Sequence, residues 1–212
     1  DNYNEYPDDT GKERGKELIS AQRPDRLLAI DVGAGTQDIL LYESDKLLEN
    51  CVKMVLPSQT VIVADRIKRA RLAGCDVFLT GSLMGGGPCV GAMKRHLRAG
   101  LKVYATPLAA RTIRDNPLEV EEMGIQIVEE APTEAVPIQT RDVDLDALCQ
   151  ALALFDVELP GRYAIAVQDH GESLTGSQRR FRFQQWERFV KEGGQLIALA
   201  YTKVPDHLTR MK

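Results

Sequence analysis

The sequence predicts an α/β protein whose mixed sheet begins with an antiparallel hairpin and is flanked by helices. Apolar runs of strand length alternate with helical patterns along most of the chain. A glycine-rich turn joins the first two runs, and glycines follow several of the predicted helices. With 212 residues, 43% of them hydrophobic, the chain has a globular composition and can bury a full core.

Charge, hydropathy and cysteine spacing narrow the choice of partner and compartment. The formal net charge is −4, whereas a general nucleic-acid binder is basic. No apolar run approaches the ~20 residues of a membrane span, and no signal peptide is visible. The four cysteines, Cys51, Cys75, Cys89 and Cys149, form no C-x-x-C pair, which favours reduced thiols. We therefore expect a cytoplasmic protein that binds neither nucleic acid nor a membrane.

The first predicted element is the hairpin Leu27–Glu43, LLAIDVGAGTQDILLYE, which follows a polar tail predicted to be mobile over residues 1–25. Apolar runs on both sides of the turn have the length of buried strands. Gly33 and Gly35 predict backbone angles closed to other residues and an anion close to the main-chain amides. Asp31 and Asp38 place carboxylates beside that turn. This combination suits a nucleotide with Mg²⁺, in which the amides and Thr36 hold phosphate and Asp31 holds the metal through water.

Three alternatives compete for this stretch. Gly33-x-Gly35 after a strand could begin a dinucleotide-binding motif, but Asp38 stands at the third glycine position and no helix opens there. IDVGAGT resembles the first motif of class I methyltransferases that use S-adenosylmethionine, with Gln37 at the last glycine and a strand where that fold has a helix. The turn could also be a tight hairpin without a ligand.

The remaining elements alternate between strands and helices. Residues 116–142 carry three prolines and many acids, and we predict an irregular connector with one strand, Ile125–Glu129. In the predicted helix Gln178–Glu192, a core-facing set is predicted to include Phe181, Trp186, Phe189 and Val190. The other predicted strands are Cys51–Leu56, Asp76–Thr80, Leu101–Thr106, Tyr163–Val167 and Leu196–Ala200, and the helices are Thr60–Ala73, Cys89–Ala99, Pro107–Asp115, Leu145–Phe155 and Gln178–Glu192.

Two further segments are candidate functional sites. The strand Asp76–Thr80 runs into GSLMGGGP, whose Gly85, Gly86 and Gly87 precede a helix, an arrangement typical of anion sites. The strand Tyr163–Val167 delivers Asp169 and His170 at its carboxyl end, where open α/β sheets place ligands. We predict catalytic roles for these two residues, since a carboxylate can act as a base and a histidine titrates near neutral pH.

The order strand, D-x-G-x-G-T-x-D turn, strand, third strand and then alternating helices and strands resembles one lobe of the actin-like (ribonuclease H-like) ATPases. That superfamily includes actin, the Hsp70 ATPase domain and sugar kinases. The resemblance covers about Leu27 to Ile113 and implies ATP with Mg²⁺ as ligand, with Asp31, Gly33, Gly35, Thr36 and Asp38 as the first phosphate motif. A second phosphate hairpin should begin with Asp-x-Gly, and Asp169-His170-Gly171 fits, although a helix follows it. No late glycine-rich adenosine motif is visible.

Three segments together, DVGAGTQD, GSLMGGGP and AVQDHG, resemble a prokaryotic family labelled "putative pyruvate formate-lyase activating enzyme". That label implies a radical S-adenosylmethionine enzyme, whose iron–sulfur cluster needs C-x-x-x-C-x-x-C. The sequence has no such motif, so we disfavour the activity in the label.

These observations divide the chain into a tail (1–25), an actin-like nucleotide-binding lobe (26–115), a connector (116–142) and a continuation of the lobe or part of a second one (143–212). The leading hypothesis is nucleotide binding, with phosphoryl transfer or hydrolysis as the reaction. A methyltransferase and a non-catalytic regulatory module are the alternatives. Because few residues follow Asp169, we expect a fragment or reduced form that binds nucleotide weakly and completes its site with a C-terminal lobe or a protein partner.

Overall fold

The computed structural model describes residues 25–84, 87–114, 116–168, 176–205 and 208. Almost all of the predicted tail, Gly85, Gly86, Asp169 and His170 lie outside the described residues.

Within the described residues the fold is α/β, with two four-stranded sheets and flanking helices. The strands are β1 (Arg26–Val32), β2 (Thr36–Glu43), β3 (Val52–Pro57), β4 (Val77–Gly81), β5 (Val103–Ala105), β6 (Ile125–Ile127), β7 (Val136–Thr140) and β8 (Tyr163–Val167). The helices are α1 (Gln59–Leu72), α2 (Gly87–Arg98), α3 (Pro107–Ile113), α4 (Pro117–Glu122), α5 (Leu145–Ala153) and α6 (Gln178–Lys191), with short 3-10 helices at Leu48–Asn50 and Leu196–Leu199.

The first sheet, here the N-terminal sheet, has the order β3-β2-β1-β8. β1, β2 and β3 are antiparallel neighbours, and β8 returns to pair parallel with β1. Alternation along the hairpin buries Leu28, Ile30, Ile39 and Leu41 on one face, where Leu148 of α5 packs against them. The predicted hairpin is confirmed, including the strand after the glycine turn.

The second sheet, here the parallel sheet, has the order β6-β5-β4-β7 and is parallel throughout. Its central strands are buried, as expected where both faces are covered. The core includes Val77 and Leu79 of β4, with Val63 and Ile67 of α1 and Met93 of α2. The chain order reverses at β4, because β5 and β6 extend the sheet on one side and β7 on the other.

Three predicted features are wrong. The segment 116–142 is no irregular connector, since it contains α4 and two strands of the parallel sheet, β6 and β7. The predicted strand Leu196–Ala200 is instead a 3-10 helix over Leu196–Leu199. The predicted core-facing residues of α6 are not buried: Trp186 and Val190 are exposed, and Phe181 and Phe189 are half-buried. The α6 arginines 179, 180, 182 and 188 are exposed, as predicted.

Candidate functional site

Two carboxylates face each other at the mouth of the β1–β2 hairpin. Asp31 and Asp38 are directly opposite in the antiparallel register, and both are exposed. They lie on the face of the N-terminal sheet away from Leu28 and Ile30, because side chains alternate along a strand. Within the described residues, neither carboxylate has a hydrogen bond or an ion pair. Like charges directly opposite each other destabilise a sheet, so a bound cation would stabilise this pair.

The turn between these carboxylates is closed by its own backbone. The N–H of Gly33 donates to the carbonyl of Thr36 at 2.9 Å. A Cβ at Gly33 would lie 2.8 Å from that same oxygen, so only glycine fits there. Neither Gly33 nor Gly35 has a positive φ, and the predicted use of backbone angles closed to other residues is wrong. At Gly35 a Cβ would meet nothing within 4 Å, which leaves the turn open to an approaching group.

The first turn of α1 holds the glycine turn from one side. The Ser58 N–H donates to the carbonyl of Gly35 at 3.1 Å, and Thr60 Oγ1 donates to the carbonyl of Ala34 at 2.7 Å. Ser58 and Thr60 are buried, and their hydroxyls lie 3.2 Å apart. The turn carbonyls are therefore occupied on the α1 side. In the described part of the chain, the N–H groups of Ala34 and Gly35 donate to no other backbone group and remain available to an anion.

The two hydrogen bonds that Ser58 and Thr60 donate to the turn carbonyls are here called the α1 clamp. The sequence alone does not predict this clamp. Ser58 stands at the N-cap position of α1, which is a recognisable signal, but its side chain makes no capping bond. The hydroxyl of Thr60 bonds a turn 26 residues earlier, a contact that local pattern does not reveal. The only sequence signal is the pair Ser58-x-Thr60 directly after Pro57.

Gln37 braces the same turn from the core side. Its side chain is 3% exposed, and Nε2 donates to the carbonyl of Pro57 at 3.0 Å. This bond ties the start of β2 to the end of β3. Oε1 is buried with no hydrogen-bond partner among the described residues. Gln37 stands at the last glycine position of the methyltransferase-like motif. Its side chain therefore has a structural role here, because it joins β2 to β3.

The second glycine-rich segment lies at the carboxyl edge of the parallel sheet, where the chain order reverses at β4. Gly81 ends β4 with φ +82°, and a Cβ there would overlap the carbonyl of Thr140 in β7, so this position requires glycine. The Met84 N–H donates to Asp142 Oδ1 at 2.7 Å. Gly87, the described member of the predicted triplet, begins α2. No hydrogen bond among the described residues joins Gly87 to the hairpin turn.

Asp142 is the residue at this edge that the sequence did not single out. It follows β7, and the next residues, Val143 and Leu145, pack against the core of the N-terminal sheet. The chain therefore passes from one sheet to the other at Asp142. Sequence reasoning missed it because β7 was not predicted.

The predicted catalytic pair Asp169 and His170 lies outside the described residues. The strand that leads to it is described, and Val167 of β8 pairs with Val32 of β1. Since Gly33 follows Val32, the described end of β8 lies beside the hairpin turn. The structure thus brings Asp31, Gly33, Gly35, Thr36 and Asp38 together at one turn.

The cysteines offer no cluster for iron–sulfur chemistry. Cys51 and Cys89 are buried, Cys75 is half-buried and Cys149 is exposed, and all four are free. Burial raises the pKa of the Cys89 thiol to about 12, which keeps it protonated and a poor metal ligand. Among the described residues, no group of three histidine, cysteine or acidic side chains could hold a metal ion.

The comparison with known families matches residues 84–212 to the family described as "Putative pyruvate format-lyase activating enzyme (DUF1786)". This match covers more than half of the chain. The chain belongs to the DUF1786 family. The match begins inside GSLMGGGP and includes α2 to α6, so the hairpin turn lies outside it. No curated protein and no solved structure matches the chain.

Membership of DUF1786 supports the family label that the sequence suggested. The cysteine positions give no support to the radical chemistry that the label implies. Within the described residues, no helix is long and apolar enough to cross a membrane.

Proposed function

We propose that this DUF1786 protein binds ATP or a related nucleotide together with Mg²⁺ at the β1–β2 hairpin turn. The observation that carries the proposal is the pair of exposed carboxylates, Asp31 and Asp38, directly opposite each other beside a turn with free N–H groups. Two unpaired carboxylates of like charge suit a divalent cation, and free backbone amides suit a phosphate.

The two carboxylates at the turn suit Mg²⁺ better than they suit a metal whose ligands all come from the protein. Mg²⁺ keeps several waters and is commonly bound by one or two carboxylates plus substrate phosphates. The described residues offer two carboxylates at the turn and no group of three ligands anywhere. Mg²⁺ would neutralise charge on the phosphates, and Asp31 would hold it through water.

The chain's own groups would orient the phosphates. The N–H groups of Ala34 and Gly35 would donate to phosphate oxygens, and the Thr36 hydroxyl would donate beside them. Ser58 and Thr60 keep the turn carbonyls directed towards α1, so that the amides stay in place without the ligand. The positive end of the α1 dipole lies at this clamp and favours the anion further.

We further propose an actin-like architecture with phosphoryl transfer or hydrolysis as the reaction. The antiparallel strands on both sides of the glycine turn are the feature that the actin-like resemblance requires, and the strand over Thr36–Glu43 counts against the methyltransferase alternative, which needs a helix there. Asp169 or His170, which follow β8 in the sequence, would orient the attacking group, since the described end of β8 lies beside the turn. A non-catalytic binding module would bind nucleotide at the same turn without turnover.

Isothermal titration calorimetry tests the binding proposal. Mg·ATP should bind the wild-type chain, and Asp31→Asn should weaken binding at least about tenfold, or ~1.4 kcal/mol. Asp45→Asn is the matched control, because Asp45 is an exposed aspartate of the same hairpin beyond the far end of β2. Equal affinity for all three proteins, or no binding by any, would refute the assignment. A phosphate-release assay on the same samples would then separate an ATPase from a binding module.

A further inference from the structure

The four edge strands of the two sheets differ in how they are protected from pairing. Exposed edges attract further strands, and proteins block them with lysine, proline or very short strands. β3 carries Lys53 and Pro57, β6 has three residues, and β7 carries Pro137. β8, with the sequence YAIAV, has no charge, no proline and no such shortening. Among the described strands, β8 is the one unprotected edge.

The burial of β8 shows the same lack of cover. Four residues of β8 are exposed, and the fifth, Val167, is half-buried. By contrast, β6 and β7 each bury at least one residue, and β3 alternates between half-buried and exposed positions. Tyr163 and Ile165 lie on the core side of the sheet, since they pair with Leu28 and Ile30, yet they are 43% and 44% exposed. Apolar side chains are therefore uncovered at the place where an additional strand would lie.

The backbone of β8 offers hydrogen-bonding groups to a new neighbour. The Leu28 N–H donates to the carbonyl of Arg162, which directs that residue's backbone groups towards β1. Backbone groups alternate between the two sides of a strand. The N–H and C=O groups of Tyr163, Ile165 and Val167 consequently point to the free edge.

We propose that the free edge of β8 pairs antiparallel with β8 of a second copy of this chain. The strand is self-complementary, because large side chains at Tyr163, Ile165 and Val167 alternate with Ala164 and Ala166. Centred on Ile165, antiparallel pairing sets large residues opposite large ones and alanine opposite alanine. The same register places the core faces of both copies on one side of a continuous eight-stranded sheet, and a one-residue slip would destroy this match.

The helix α6, the next described helix after β8, carries further exposed apolar side chains. Phe183, Trp186 and Val190 of α6 share one side at helical spacing and are more than half exposed. The exposed apolar area of Tyr163, Ile165 and these three side chains totals on the order of 500 Å², which compares with roughly 800 Å² per partner in a standard interface. Closed two-fold dimers are also the commonest assemblies of identical chains.

Sedimentation velocity over about a hundredfold range of protein concentration tests the dimer. The wild-type chain should pass from monomer to dimer, and Ile165→Lys should raise the dissociation constant at least about tenfold, because two lysines would face each other at the two-fold axis. Val55→Lys is the matched control, since it adds the same charge to an exposed position of the opposite edge strand. A wild-type chain that stays monomeric, or equal dissociation by both variants, would overturn the proposal.

Hydrogen exchange on the wild-type chain keeps the proposal testable if Ile165→Lys fails to fold. The amides of Ile165 and Val167 should exchange more slowly as the concentration rises, while that of Ala164, which faces β1, should not change. Concentration-independent exchange at Ile165 and Val167 would contradict β8 pairing.

Discussion

The two sheets of this protein differ in what their residues are used for. The parallel sheet buries its central strands beneath helices packed on one face, and among the described residues its core cluster contains 17 buried residues. The N-terminal sheet has a core cluster of five, leaves one face open and places two unpaired carboxylates there. We infer that stability is concentrated in the parallel sheet, whereas the N-terminal sheet keeps charged groups that cost stability and suit a ligand.

The largest effect should come from truncating the parallel core. Leu79 of β4 is 1% exposed, so Leu79→Ala should lower the free energy of unfolding by roughly 2–5 kcal/mol through lost burial and a residual cavity. Urea denaturation measures this change. Leu154→Ala, at an 83% exposed position, is the control and should change stability by less than about 0.5 kcal/mol. Similar losses in the two variants would show that the core assignment is wrong.

Loss of the α1 clamp should have a smaller effect, limited to the hairpin turn. Thr60→Val keeps the side-chain shape but leaves the Ala34 carbonyl without its 2.7 Å partner, which should cost about 1–3 kcal/mol. Amide exchange at Gly33 and Ser58, whose N–H groups are hydrogen-bonded at this turn, should accelerate, while exchange in β4 and β5 should not. Thr36→Val is the comparison, because Thr36 is exposed and makes no side-chain bond to α1. Uniform acceleration in both sheets would argue against a local clamp.

The sequence predicted the hairpin well and the parallel sheet incompletely, for physical reasons. The hairpin is encoded locally, by two apolar runs around a glycine turn. β7 was missed because Pro137 suggested a break, although an edge strand tolerates proline. α4 is absent from the prediction because prolines clustered in a sequence indicate irregular structure, whereas a single proline such as Pro117 is favoured in the first turn of a helix. The Ser58 and Thr60 clamp depends on contacts distant in sequence.

A buried histidine should make the parallel sheet sensitive to acid. His96 of α2 is fully buried, and its ring nitrogens approach the carbonyls of Ile67 and Lys102 without reaching hydrogen-bond geometry. Burial lowers the pKa of His96 below 6.5, and the nearby Arg71 opposes its protonation while Asp76 favours it. The unfolded chain then takes up a proton that the folded chain resists.

Stability should accordingly be unaffected by His96 above pH ~6.5 and should fall as the pH decreases below that value towards the lower folded-state pKa. The slope contributed by one proton is at most about 1.4 kcal/mol per pH unit. Urea denaturation between neutral and mildly acidic pH measures it, and His96→Leu should remove that part of the slope. An unchanged slope in the variant would assign the acid sensitivity to other groups.

The smallest expected change in stability comes from removing one carboxylate of the Asp31 and Asp38 pair. Its measurement is the most direct test of the proposed cation and nucleotide site. Without divalent cations, Asp38→Asn should be more stable than the wild-type chain by ~0.2–1 kcal/mol, because it removes the repulsion from Asp31. With Mg·ATP at about a hundred times its dissociation constant, the wild-type chain should gain ~2.7 kcal/mol. The variant should gain less, so the order of stability reverses. Chemical denaturation of both proteins, in EDTA and in Mg·ATP, measures the crossing. A wild-type chain that is already the more stable in EDTA, or equal gains on adding Mg·ATP, would contradict a cation and nucleotide site at this hairpin.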